Sequence, residues 1–114
     1  MSNKKKKPAD KLAIKINRLY RCTKHSAICA SRDPGLVTKH DDLTEIIYIK
    51  SLTDFGQIMA FVTKYKPNWV FIKPGEPFLV LDIKTYKAKL LAKDGIVWVN
   101  YYKVFKQKFG FVAA

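Results

Sequence analysis

The chain is 114 residues long, with 22 lysines and arginines against nine acids, for a formal charge of +13. That length allows one domain with a single modest core, and a hydrophobic content of 48% excludes a disordered chain. The longest apolar run, Ile58 to Val62, is too short to span a membrane, and the N-terminal lysines are not followed by a signal-peptide apolar stretch.

The charge is segregated. Residues 1–25 carry net +8, residues 26–60 net −2, and residues 61–114 net +7. A basic head and tail around a mildly acidic middle give a sided field, which suits a polyanion partner. The plainer reading is compositional: lysine, isoleucine, tyrosine and phenylalanine are all abundant, and lysine on strand surfaces also discourages edge pairing.

In chain order, residues 1–11 are expected to form a mobile basic arm, and residues 12–114 a single small β-barrel domain. Residues 12–17 alternate as a strand does, although Leu12, Ile16, Leu19 and Tyr20 also fit a helical spacing. Leu19 to Thr23 reads as a strand. Residues 26–43 read as turn-rich, with a strong turn at Arg32-Asp33-Pro34-Gly35. Glu45 to Leu52 reads as a strand. Asp54-Phe55-Gly56 suits a hairpin turn into a strand over 57–63; a helix over 52–64 is the alternative, since Leu52, Phe55, Ile58, Met59 and Val62 fit a helical stripe.

Further on, Trp69 to Ile72, Phe78 to Ile83, Tyr86 to Ala92, Ile96 to Val99 and Val104 to Phe109 read as strands. Turns separate them at 66–68, 73–77 and Lys93-Asp94-Gly95. Many short strands with turn signals at this spacing predict an all-β fold, a small barrel of short antiparallel strands.

Residues 73–105 carry a Pro-Gly-Glu turn, the strand Phe78-Leu-Val-Leu-Asp-Ile83, an aromatic strand start at Tyr86, the Asp94-Gly95 turn, Ile96-Val-Trp-Val99, and Asn100-Tyr-Tyr-Lys-Val104. This layout resembles the core of the Src-homology-type small barrels, which implies one turn of tight helix at Asn100–Val104. From Ile16-Asn-Arg-Leu-Tyr-Arg-Cys22 onward the chain is similar to small uncharacterised phage proteins. That similarity implies a location in the cytoplasm of an infected host cell, and two cysteines without a secretion signal also suit the reducing cytoplasm. Peptide-binding members of the barrel family have tryptophan where Tyr86 stands and proline where Val99 stands. An incomplete aromatic groove argues against polyproline recognition. Related cell-wall-binding barrels are exported proteins, and no export signal is found here.

Cys22, His25, Cys29 and His40 offer ligand types that suit zinc, but their spacing matches no standard finger. The plainer reading is two half-buried cysteines and two loop histidines, and no metal or other cofactor is expected. Asp54-Phe55-Gly56 shares its letters with a kinase motif, but the chain is too short and lacks the glycine-rich loop. Asp41-Asp42 reads as a solvated turn or cap. With no phosphate loop and no nucleophile near a base, catalysis is not expected.

The sequence therefore predicts a non-enzymatic nucleic-acid-binding protein, with lysines acting as point charges on phosphate and little reading of base sequence. The expected contacts are Lys4, Lys5, Lys6, Lys7, Lys11, Lys15, Arg18 and Arg21, with a second patch of Lys87, Lys89, Lys103, Lys106 and Lys108. Tyr101 and Tyr102 are the expected stacking rings, and Trp98 is expected to be buried. The partner would be DNA or RNA without sequence preference, or an acidic protein surface, with no membrane and no small-molecule substrate. The alternative is a protein-interaction module, such as a phage accessory protein that docks on a host or virion protein through the acidic 33–45 segment or a barrel edge. A weaker alternative is a virion component lying against packaged genome.

Overall fold

The structure is a computed structural model that describes residues 14–40, 43–105 and 110–114. Within them the chain forms a curled antiparallel sheet, a half-barrel of the small all-β type expected from the sequence. The strands are β1 (Leu19–Cys22), β2 (Ser26–Ser31), β3 (Glu45–Tyr48), β4 (Trp69–Ile72), β5 (Pro77–Lys84), β6 (Lys87–Ala92), β7 (Gly95–Asn100) and β8 (Phe111–Ala113). Two helices interrupt them, α1 (Leu52–Tyr65) and the short α2 (Tyr101–Phe105). A single 3-10 turn covers Pro34–Leu36, its Gly35 amide capped by the Asp33 carboxylate, where the sequence predicts a turn.

Strands β8, β1, β5, β6 and β7 lie side by side in that order, and β7 then meets β2. Alternation along these strands separates two faces. Tyr20, Phe78, Val80, Ala88, Leu90, Val97 and Val99 point into the concave side, where Ile28, Ala30, Ile46, Ile72, Val104 and Phe105 complete the inner core. The hairpins close as read. Thr85 takes a left-handed φ of 56° between β5 and β6, and Gly95 supplies φ 115° after Lys93-Asp94. At the far side Gly110, at φ 94°, backs so closely onto Ile46 that an added Cβ would lie 2.6 Å from its Cγ2. This close approach sets the residue that leads into β8 against β3, the strand at the other end of the sheet order.

Residues 26–31 are not turn but β2, which pairs with three other strands. Cys29 stands opposite both Glu45 of β3 and Phe71 of β4, and Ser31 opposite both Trp98 of β7 and Trp69 of β4. All six of its residues are buried. Ile28 and Ala30 enter the inner core, while Ala27 and Cys29 enter a second core on the outer face. A strand covered on both faces has no polar–apolar alternation to reveal it.

Of the two readings left open for residues 52–64, hairpin and strand or helix, the structure takes the helix, over Leu52–Tyr65. Ser51 Oγ accepts the Asp54 amide at 3.1 Å as an N-cap, and Asp54 and Lys64 match the positive and negative ends of the helix dipole. Phe55, Met59 and Val62, at spacings of four and three, pack onto the second core with Trp69 and Phe71. Phe55 meets Phe71 edge-on at 5.4 Å between ring centroids, and burying its ring contributes about 2–3 kcal/mol. Pro67 follows the helix end.

Of the strand expected over Val104 to Phe109, Val104 and Phe105 belong instead to α2 and the inner core, and residues 106–109 lie outside the described residues. The helical turn implied at Asn100–Val104 is present one residue later, with the Asn100 side chain accepting the Lys103 amide at 3.1 Å. The opening at residues 12–17, ambiguous between strand and helix in sequence, forms neither among its described residues. Ile14 plugs the inner core from irregular backbone, and the chain turns at Ile16 and Asn17, the latter at φ 66°.

Candidate nucleic-acid interface

The outer face of the sheet gathers residues that are remote in sequence. Each β5–β6–β7 register step can be followed across the strands. Asp82 stands opposite Lys89, which stands opposite Trp98. One step further, Lys84 stands opposite Lys87. The bulge between Val80 and Asp82 puts Asp82 and Lys84 on this outer side, since Ile83 turns into the inner core.

The lysines are placed against aromatic rings. The Lys89 ammonium lies 5.6 Å from the centroid of the Trp98 ring, and the Lys87 ammonium 5.8 Å from that of Tyr86. Lys87 also donates to the Pro34 carbonyl at 2.7 Å, which ties the 3-10 turn to β6 and leaves its other two protons for further acceptors. Lys84 makes only a long ion pair with Asp82, at 3.9 Å, on a side chain that is 82% exposed. Such a pair is worth little in water and yields easily to a phosphate.

Trp98 is thus half-buried and not buried as expected, because its ring bridges the second core and the lysine row. Tyr101 is not an exposed stacking ring. It is half-buried against the inner core, 5.7 Å from Phe105, and its amide donates to the Tyr86 carbonyl at 2.6 Å. Tyr102 remains 49% exposed and meets Tyr101 edge-on at 5.5 Å. Lys103 follows, half-buried on α2. The Tyr101–Tyr86 bond therefore brings α2 beside the β5–β6 turn and its lysines.

From the basic head, Arg21 projects from β1 onto the same outer face, where its guanidinium donates to the Gly75 carbonyl at 2.7 Å. Lys15 and Arg18 are exposed in the segment entering β1. The head and tail blocks thus share one face in Arg21, Lys87 and Lys89. Lys4, Lys5, Lys6, Lys7, Lys11, Lys106 and Lys108 lie outside the described residues, as do Asp41 and Asp42.

Two contributors escape the sequence reading. Lys84 falls beyond the end of the strand read from sequence, which in the structure continues one residue past Ile83. Tyr86 reads as one of the barrel aromatics and not as a lysine's partner. An aromatic residue followed directly by lysine, entering a lysine-alternating strand, is the available signal.

The four candidate zinc ligands do not assemble. Cys22 belongs to the inner core and Cys29 to the second core, on opposite sides of the sheet. His25 and His40 are exposed, and His25 lies near the Tyr48 ring at 6.4 Å. Among the described residues no three His, Cys, Asp or Glu side chains form a group able to hold a metal ion. No helix among them is long and apolar enough to cross a membrane. Comparison with known protein families, curated proteins and solved structures returns no match.

Proposed function

We propose that this chain is a non-enzymatic nucleic-acid-binding protein, in which lysines on the outer sheet face neutralise backbone phosphates. The supporting observation is the cluster of Lys84, Lys87 and Lys89 on one face of the sheet, Lys84 exposed and the half-buried Lys87 and Lys89 lying over aromatic rings. The order of β8, β1, β5, β6 and β7 supports the Src-homology-type reading of the barrel. Lysine ammonium groups contact phosphate as point charges and do not read base edges as arginine forks do. Tyr102 and the exposed edge of Tyr86 offer stacking surface beside them. Binding of this kind is tolerant of sequence and falls steeply with salt.

The test is filter binding of a labelled single-stranded 20-mer at 25–300 mM salt. Replacing both Lys84 and Lys89 with alanine should flatten the slope of log K against log salt by about 1.4, or about 0.7 for each phosphate that is no longer neutralised. Lack of binding to any oligonucleotide at 25 mM salt refutes the proposal.

A further inference from the structure

The outer face carries a second feature that phosphate binding does not use. Leu19 of β1 stands directly opposite Leu79 of β5, Leu79 opposite Leu91 of β6, and Leu91 opposite Ile96 of β7. The four form one file across four strands. Leu19, Leu91 and Ile96 are 45%, 43% and 46% exposed, so the file is an uncovered aliphatic ridge and not a set of stray residues. At the usual spacing of strands it runs about 14 Å, the length of nine or ten helical residues.

The same outer face shows what covers such a ridge. Over β2 and β4 its apolar residues are sealed by α1, through Phe55, Met59 and Val62. Over the file of Leu19, Leu79, Leu91 and Ile96 no element of the described chain does this. The ridge has net positive charge on both flanks: Arg21 lies beyond Leu19 on β1, and on the other side Lys89 lies beyond Leu91 on β6, with Asp82 opposite it and Lys84 and Lys87 one step further.

We infer that the ridge is a docking surface for an amphipathic helix of a partner protein, with an apolar stripe flanked by carboxylates. Charge complementarity selects this occupant. A second copy of the chain would bring another +13 to a basic border, and the outward stripe of α1, Ile58, Phe61 and Tyr65, has Lys64 and Lys66 beside it and only Asp54 as an acid. Residues 1–13 are themselves basic and do not complement the border. A helix with leucines at i, i+3, i+4 and i+7 lays a stripe of the required length on the ridge. Its glutamates then meet Arg21 on one side and Lys89 on the other. Because Lys89 also belongs to the proposed phosphate site, helix and polynucleotide compete.

The probe is a fluorescein-labelled 16-residue peptide with leucines along one helical face and glutamates elsewhere, titrated with the full chain and read by anisotropy. A scrambled peptide of identical composition and charge is the control. The designed peptide should bind at least tenfold more tightly than the scrambled one. Leu91→Ser and, separately, Ile96→Thr, which keeps the β-branch that suits a strand, should each remove that advantage while leaving the thermal melt and oligonucleotide binding unchanged. Unlabelled oligonucleotide should displace the peptide. Equal affinity for the two peptides overturns the inference, leaving only nonspecific attraction to acid. It is also overturned if these variants weaken oligonucleotide binding as much as peptide binding, or if the protein dimerises in solution and Leu91→Ser makes it monomeric. Failure of oligonucleotide binding alone touches the proposed function and not the ridge.

Discussion

Raising the pH should destabilise this protein through one thiol. Cys22 is 1% exposed in the inner core, its Sγ donating weakly to the Ile72 carbonyl at 3.7 Å. Burial, and after it the nearby Glu76 carboxylate, pushes its pKa from 9.0 up to about 12, against a smaller lowering by the Ile28 backbone. The native state therefore refuses a thiolate that the unfolded chain accepts from pH 9 upward. Stability linked to this group is complete below pH 9 and falls as pH rises toward 12. At pH 10.5 the loss amounts to about 2 kcal/mol, from 1.36 kcal/mol for each pH unit above 9.

The measurement is urea unfolding of wild type and Cys22→Ala at half-unit steps from pH 7 to 11. Lysine titration affects both proteins alike, so the difference between them isolates the thiol. Below pH 9 the variant should be less stable by about 1–2 kcal/mol, for the cavity left by the sulfur. Above pH 9 the gap should close and then reverse. Parallel curves through pH 11 would refute this linkage, since they would mean that the folded protein tolerates the thiolate.

Two other substitutions test the fold. Gly56→Ala should stabilise the protein by about 0.5–1 kcal/mol in urea titrations, because an added Cβ meets nothing within 4 Å and α1 gains helix propensity. Asn100→Ala should cost about 2 kcal/mol in the same assay. Its Nδ2 donates to the Thr38 and Lys39 carbonyls at 2.9 and 3.2 Å, and its Oδ1 caps α2, so one buried side chain ties residues 38 and 39 to the end of β7.

The legible parts of this chain are those whose signals are local. In β6, Lys87 and Lys89 alternate with Ala88 and Leu90, and the strand forms as the pattern says. The Asp94-Gly95 turn needs only a glycine at positive φ. The helix α1 competes with a strand on apolar spacing alone, and the deciding information is the cap: Ser51 three residues before Asp54, and Pro67 beyond the other end. Strand β2 is hidden for a different reason. Its small residues are set by what packs on both sides, and neither α1 nor the inner core is visible from six residues. The same holds for the site. The Lys89–Trp98 stack depends on cross-strand register, and the aliphatic ridge joins residues from four strands.

The chain leaves the end of β1 and returns to almost the same point. The Thr23 carbonyl accepts the Gly75 amide at 3.1 Å, and the Cys22 amide donates to the Glu76 carbonyl at 3.0 Å. Everything between, from β2 through α1 to β4, is an excursion closed at its own neck. Pairing β1 with β5 across an open chain would carry the closure entropy of the whole intervening stretch. If β2 has already paired with β3 and β4, that stretch is shortened to the neck, and β1 and β5 arrive as near neighbours. In that order of assembly the excursion would draw the two halves of the sheet together before they join, lowering the entropy that their pairing must overcome.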